Sequence, residues 1–252
     1  MHIDQRSFTP DLGKSAILLD VDGTIVDIAP TPEAIDVPAS LRHALARLIE
    51  RTGGAVALVS GRPLVDLDRL FAPLRLAAVG VHGAELRPLG GAAARTARPP
   101  RLDDELKRRL TAIAGAGVRV EDKGYSIALH YRQAPEQEQA VRAAVAKVCA
   151  EPWPVAVEVL PGKAVVEIKP AGFSKATGVR ALMMHAPFAG RRPIFVGDDT
   201  TDETVFAIMP ELDGLAFSVG REVAGVAGHF PTPASVRAWL DRIAPVGESV
   251  AQ

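Results

Sequence analysis

Ala16-Ile17-Leu18-Leu19-Asp20-Val21-Asp22-Gly23-Thr24 is the stretch that decides the fold. Four apolar residues run directly into two carboxylates and a glycine. A short apolar run ended by a polar, glycine-bearing turn reads as a parallel strand buried on both faces. The same design recurs at Ala55–Val59 before Ser60-Gly61-Arg62, at Leu76–Val81 before His82-Gly83, and at Pro193–Val196 before Gly197-Asp198-Asp199. Leu215–Val219 before Gly220 is a weaker copy. Helical segments lie between these runs. Pro38–Arg51 sets Leu41, Leu45, Leu48 and Ile49 on one face, and Pro63–Phe71, Lys175–Met184 and Glu203–Met209 are shorter candidates. Strands alternating with helices imply an α/β fold, a parallel sheet covered on both sides.

The stretch 87–169 breaks this rhythm. It opens with PLGGAAARTARPPR, whose Gly, Ala, Pro and Arg bias reads as a linker. Val118–Glu121, the turn Asp122-Lys123-Gly124 and Tyr125–Arg132 then form a β-hairpin signal. Pro135–Glu151 follows as an amphipathic helix, and a second hairpin runs Val155–Leu160, Pro161-Gly162, Lys163–Lys169. Two hairpins around a helix make a small α+β unit inserted into the larger one. The expected division is therefore a core of 1–86 and 170–252 and an insert of 87–169.

Polar motifs at the C-terminal ends of parallel strands share one rim, where ligands bind in open α/β sheets. A carboxylate such as Asp20 can attack phosphorus, and a second such as Asp22 can protonate the leaving alcohol. DxDG alone also fits an acidic turn or a calcium loop. The calcium reading fails, because position 6 of such a loop would be Ile25 where glycine is needed and position 12 would be Thr31 where glutamate is needed. Gly197–Glu203, GDDTTDE, adds Asp198, Asp199 and Asp202. Clustered carboxylates repel one another unless a cation neutralises them, and an oxygen-only set without His or Cys suits Mg²⁺. The rival account is a helix cap at Asp202 and a solvated acidic loop. Ser60 offers a hydroxyl to a phosphoryl oxygen, and Lys175 offers a neutralising charge.

Taken together, DVDGT, Ser60, Lys175 and GDDTTD resemble the four motifs of the haloacid dehalogenase superfamily in their usual order. The resemblance implies a Rossmann-like parallel-sheet core with an inserted α+β cap domain. It implies Asp20 as nucleophile, Asp22 as acid/base, and Ser60 and Lys175 as phosphoryl ligands, with Val21, Gly61 and Arg62 beside the substrate. It also implies Mg²⁺ held by the Asp20 and Asp198 carboxylates and the Asp22 carbonyl, with Asp199 and Asp202 supporting.

The insert carries a narrower resemblance. By alternation, Val118, Val120, Ile127, Leu129 and Tyr131 share one face of its sheet, and Arg119, Glu121, Ser126, His130 and Arg132 share the other. That polar face is either solvated or suited to a hydroxyl-rich sugar. VEDKGYSIALHYR, PGKAVVEIKPAGFSKATG and FVGDDTTDE look like the trehalose-6-phosphate phosphatase family over essentially the whole chain. The resemblance implies a sugar-phosphate substrate bound by Glu121, Lys123, His130, Arg132, Lys163 and Glu167. The GVHGAE segment, with His82 and Gly83, also matches but receives no role. Sucrose-6-phosphate and mannosyl-3-phosphoglycerate phosphatases would share the core, and the Gly-Lys-x-x-x-Glu element argues against them. A non-catalytic sugar-phosphate-binding regulator would be expected to lack Asp20, Asp22 or Asp198, and all are present.

Bulk properties narrow the partners. The net charge of −1 provides no basic field for nucleic acid or an anionic membrane. The single cysteine, Cys149, excludes an internal disulfide framework and a Cys-rich zinc site. MHIDQRSFTPDLGKS lacks an apolar signal core, and no apolar run approaches the ~20 residues that span a bilayer. A cytoplasmic monomer is the expectation.

Overall fold

The structure is a computed structural model that describes residues 3–4, 7–28, 35–89, 95–96, 101–115, 117–162 and 164–245. In chain order its regular elements are β1 (Ser15–Leu19), α1 (Ala39–Arg51), β2 (Val56–Val59), α2 (Leu64–Phe71), β3 (Ala77–Gly80), β4 (Glu85–Arg87) and β5 (Arg95–Thr96). They continue with α3 (Asp104–Thr111), β6 (Arg119–Asp122), β7 (Ile127–His130), α4 (Glu138–Cys149), β8 (Val157–Gly162) and β9 (Val165–Pro170). The last are α5 (Lys175–Met183), β10 (Arg192–Gly197), α6 (Thr200–Ile208), β11 (Leu215–Val219), β12 (Gly228–Phe230) and α7 (Pro233–Ile243).

The chain divides into two compact units, Met1–Ala97 with Ser174–Gln252, and Arg98–Phe173. These limits differ from the sequence boundaries at 86/87 and 169/170. β4 and β5 extend the large sheet antiparallel after β3, so the chain stays with that sheet beyond Arg87.

The larger unit holds one sheet in the order β12-β11-β10-β1-β2-β3-β4-β5, parallel from β12 to β3. β1 is wholly buried, and its residues alternate between two cores. Ile17 and Leu19 join Val56, Leu58, Ile194 and Val196 beneath α1, α2 and α7. Ala16 and Leu18 join Ala57, Val59 and Phe195 beneath α5 and α6. Burial on both faces accounts for the continuous apolar strand runs.

The smaller unit has an antiparallel sheet, β6-β7-β9-β8. Val118, Ile127, Leu129, Tyr131, Val166 and Ile168 pack with Leu106 and Leu110 of α3 and Val141, Val145 and Val148 of α4. Pro135–Gln137 forms a 3₁₀ turn, so α4 begins three residues later than the sequence pattern suggests.

Candidate active site

Strand order reverses around β1: β2 and β3 are added on one side, β10, β11 and β12 on the other. Such a switch point opens a crevice beyond the strand C-termini. Asp20 directly follows β1, Ser60 follows β2 and Asp198 follows β10. Lys175 opens α5, whose start is fixed by a reciprocal cap between Ser174 and Thr177. Asp202 sits in the first turn of α6, closed by the same kind of cap with Asp199.

These residues meet. Lys175 Nζ donates to Asp20 Oδ1 and to Asp202 Oδ1, both at 2.7 Å, and all three side chains are buried. Asp202 Oδ2 accepts the backbone N–H groups of Asp198 and Asp199, each at 3.0 Å. The Thr24 hydroxyl lies 2.8 Å from Asp20 Oδ2 and 3.3 Å from Asp198 Oδ1. Gly23, at φ +83°, lets this turn close, because a Cβ there would strike the Asp198 carboxylate. Arg62 grips Asp22 with a two-pronged fork, Nε to Oδ2 at 2.7 Å and Nη2 to Oδ1 at 2.9 Å. Ser60 Oγ accepts the Arg62 backbone N–H at 3.1 Å. Asp199 turns its side chain to the Thr200 N–H as a helix cap.

Burial dominates the electrostatics. Desolvation first, then the nearby Asp202 carboxylate, push the Asp20 carboxyl up to about 7, although Lys175 pulls the other way. Desolvation also raises Asp202. Lys175 is held charged, since attraction to both aspartates outweighs its own burial. Asp20, Asp198 and Asp202 offer carboxylate oxygens within 4.8 Å of one another. Such a buried, oxygen-only, net negative cluster suits a hard divalent cation.

The sugar-binding expectations fall in the smaller unit. Glu121 and His130 pair at 2.8 Å, and this hydrogen bond holds Glu121 below the usual carboxylate range. Glu167 Oε1 accepts from Ser126 at 2.6 Å and Oε2 from Lys123 at 3.0 Å. Arg132 is exposed. Lys163 lies outside the described residues. Sequence reasoning placed Thr24 in DVDGT and Ser126 on the polar face without their partners, and it missed Arg221. Thr24 bridges two carboxylates, and Ser126 steadies Glu167. Arg221 ties the Asp198 carbonyl, at 3.1 Å, to Glu203, at 2.6 Å. Thr24 stands inside a motif; an isolated arginine 23 residues beyond Asp198 gives no comparable signal.

A Bacteroides thetaiotaomicron protein described among phosphatases of the haloalkanoate (HAD) superfamily has the same fold, with a TM-score of 0.56 at 17% identity over 92% of this chain and 96% of that one. That likeness shows the fold, an α/β architecture shared with a protein of that phosphatase superfamily. The sequence model of the trehalose-phosphatase family matches residues 18–238. Trehalose-6-phosphate phosphatase of Escherichia coli (strain K12) is 38% identical over 93% of this chain and 89% of its own length. The C-terminal domain of Candida albicans trehalose-6-phosphate phosphatase has a TM-score of 0.78 at 21% identity, covering 93% of each chain. The chain belongs to the trehalose-phosphatase family.

Proposed function

We propose that this chain hydrolyses trehalose 6-phosphate to trehalose and inorganic phosphate, with Asp20 as the nucleophile. The carrying observation is the buried Asp20–Lys175–Asp202 arrangement at the switch point of a sheet. The substrate assignment is supported by the 38% identity to the E. coli trehalose-6-phosphate phosphatase.

Asp20 attacks phosphorus as the bond to the sugar oxygen breaks, and Asp22 gives that oxygen its proton. Water then attacks the aspartyl phosphate, returns a proton to Asp22, and phosphate leaves with the Asp20 carboxylate restored. Lys175 fixes Asp20 and stays charged throughout. The Ser60 hydroxyl serves a phosphoryl oxygen. Asp22 can act only when the Arg62 fork opens, and a phosphate dianion is a strong competing partner for a guanidinium. Magnesium, held by the Asp20 and Asp198 carboxylates and the Asp22 carbonyl, would neutralise phosphoryl charge, while Asp202 and Asp199 order the loop that carries Asp198. Glu121, Lys123, His130, Arg132, Lys163 and Glu167 are assigned to the sugar.

The test is phosphate release from trehalose 6-phosphate, sucrose 6-phosphate and mannosyl-3-phosphoglycerate, each with Mg²⁺ or EDTA. Turnover should favour trehalose 6-phosphate and require the cation. Equal rates on all three would overturn the substrate assignment, and full activity in EDTA the cation site.

A further inference from the structure

The turn after β3 is strained and has no role in the chemistry above. Val81, His82 and Gly83 follow one another with φ of +57°, +49° and +102°. Left-handed backbone is uncommon for a side chain and rarer still for a β-branched residue, so two such residues in sequence need a surrounding that imposes them. That surrounding consists of the two loops bearing the phosphoryl ligands. On one side, the Val81 N–H donates to the Arg62 carbonyl at 3.0 Å and the His82 N–H to the Ser60 carbonyl at 3.2 Å. The buried His82 ring lies against Gly61, where a Cβ would fall 2.6 Å from Nε2 and 2.7 Å from Cε1. On the other side, Gly83 is pressed against the residue before Lys175: a Cβ on it would strike the Ser174 carbonyl and lie 3.2 Å from Thr177 Oγ1.

We propose that the Val81–Gly83 turn is a spacer that sets Ser60 and Lys175 at their working separation, with the His82 imidazole wedged against Gly61 as its positioning residue. A rigid wedge matters because misplacing a ligand by about 1 Å can cost on the order of 10²-fold in rate. The strain stays in place because both flanking loops hold it: relaxing His82 to ordinary φ would carry its N–H off Ser60. The proposal rests on reading Ser60 and Lys175 as phosphoryl ligands.

The experiment uses His82→Asn, Gly61→Ala and their combination, with Ser60→Ala as control. Asparagine tolerates the left-handed region but lacks the ring, which separates the wedge from the backbone geometry. Alanine at 61 pushes against the ring from the other side. Each single variant should lower kcat by about tenfold on trehalose 6-phosphate and on p-nitrophenyl phosphate alike, with KM within about threefold, as expected for contacts made in the transition state. In the combined variant the room vacated by the ring should accept the new methyl, so its kcat should recover above that of Gly61→Ala alone. Rates are taken per folded molecule, with thermal melting measured in parallel. Should His82→Asn fold poorly, Gly61→Ala against the unmodified protein carries the comparison, an unchanged kcat there overturning the spacer. Wild-type kcat in His82→Asn, losses that multiply in the combined variant, or a loss confined to the sugar substrate would overturn the spacer. An unaffected Ser60→Ala would instead remove the site reading beneath it.

Discussion

As the proposed nucleophile, Asp20 has two opposed requirements: to sit dry enough to attack well and to remain a carboxylate. Asp20→Asn would remove the proposed attacking oxygen, so phosphate release should vanish from a folded protein, since an amide forms no acyl phosphate. Measurable turnover by that variant on any phosphate ester would end the mechanism. Asp22→Asn should slow release by ~10²–10⁴-fold, the range of general acid–base help. The raised Asp20 carboxyl adds a pH signature. A pKa near 7 means that the proton is retained to higher pH than usual, on a carboxylate that the proposed cation would also need. Mg²⁺ affinity should therefore fall by up to ~10-fold per unit as pH drops from 7 towards 5, and level off above 8. Titration calorimetry at several pH values reads this directly, and a flat profile would place the cation away from Asp20. At this scale the sequence was informative wherever a polar residue closes an apolar run, as at Asp20, Ser60 and Asp198. It was silent on the Arg62–Asp22 fork and on Arg221, because side-chain direction across loops distant in sequence leaves no local pattern.

Elements were legible in proportion to their burial on two sides. β1, β2, β3 and β10 read as unbroken apolar runs, and both cores explain why. α3 was hidden by the linker-like composition before it, although Asp103 caps it through the Glu105 and Leu106 N–H groups and Leu106 and Leu110 repeat at helical spacing. β4 was missed because three residues carry no periodicity, and its contribution lies in a charge. The Arg87 side chain is only 2% exposed and forks onto Asp68 at 2.9 and 2.6 Å, with Nε on the Leu76 carbonyl at 2.9 Å. Asp68→Ala would strand that guanidinium. The expected destabilisation is about 2–3 kcal/mol, below the ~3–5 kcal/mol of a fully buried broken pair because the Asp68 side chain is 31% exposed and the carbonyl contact survives. Adding Arg87→Met should recover much of the loss in urea denaturation, since the uncompensated charge is then gone. Two losses that simply add would show that the fork contributes little as a pair.

On the scale of the whole molecule, the proposed reaction would divide its requirements between the two units. The larger one holds the carboxylates, the lysine and the hydroxyl proposed to serve phosphoryl transfer. The smaller one has a polar face on which Glu121 pairs with His130, and Glu167 with Lys123 and Ser126. Alternation along the strands predicted that face, but not its pairing, which depends on the register of Glu167 opposite Ala128 and of Ala128 opposite Glu121. If the face binds sugar, substitution there should separate two substrates that share their chemistry. Glu167→Gln keeps the shape and an oxygen for Ser126 but removes the charge. It should lower kcat/KM on trehalose 6-phosphate by roughly 10- to 100-fold, the equivalent of about 1.5–3 kcal/mol for a charged hydrogen bond. On p-nitrophenyl phosphate, which offers no second sugar to hold, the change should stay within about threefold. Remote binding energy of this kind is expected in the transition state, so part of the loss should fall on kcat as well as on KM. An equal loss on both substrates, with folding verified, would make Glu167 a support for the fold or the chemistry. No loss on either would leave the paired face as solvated surface and move sugar recognition elsewhere in the chain.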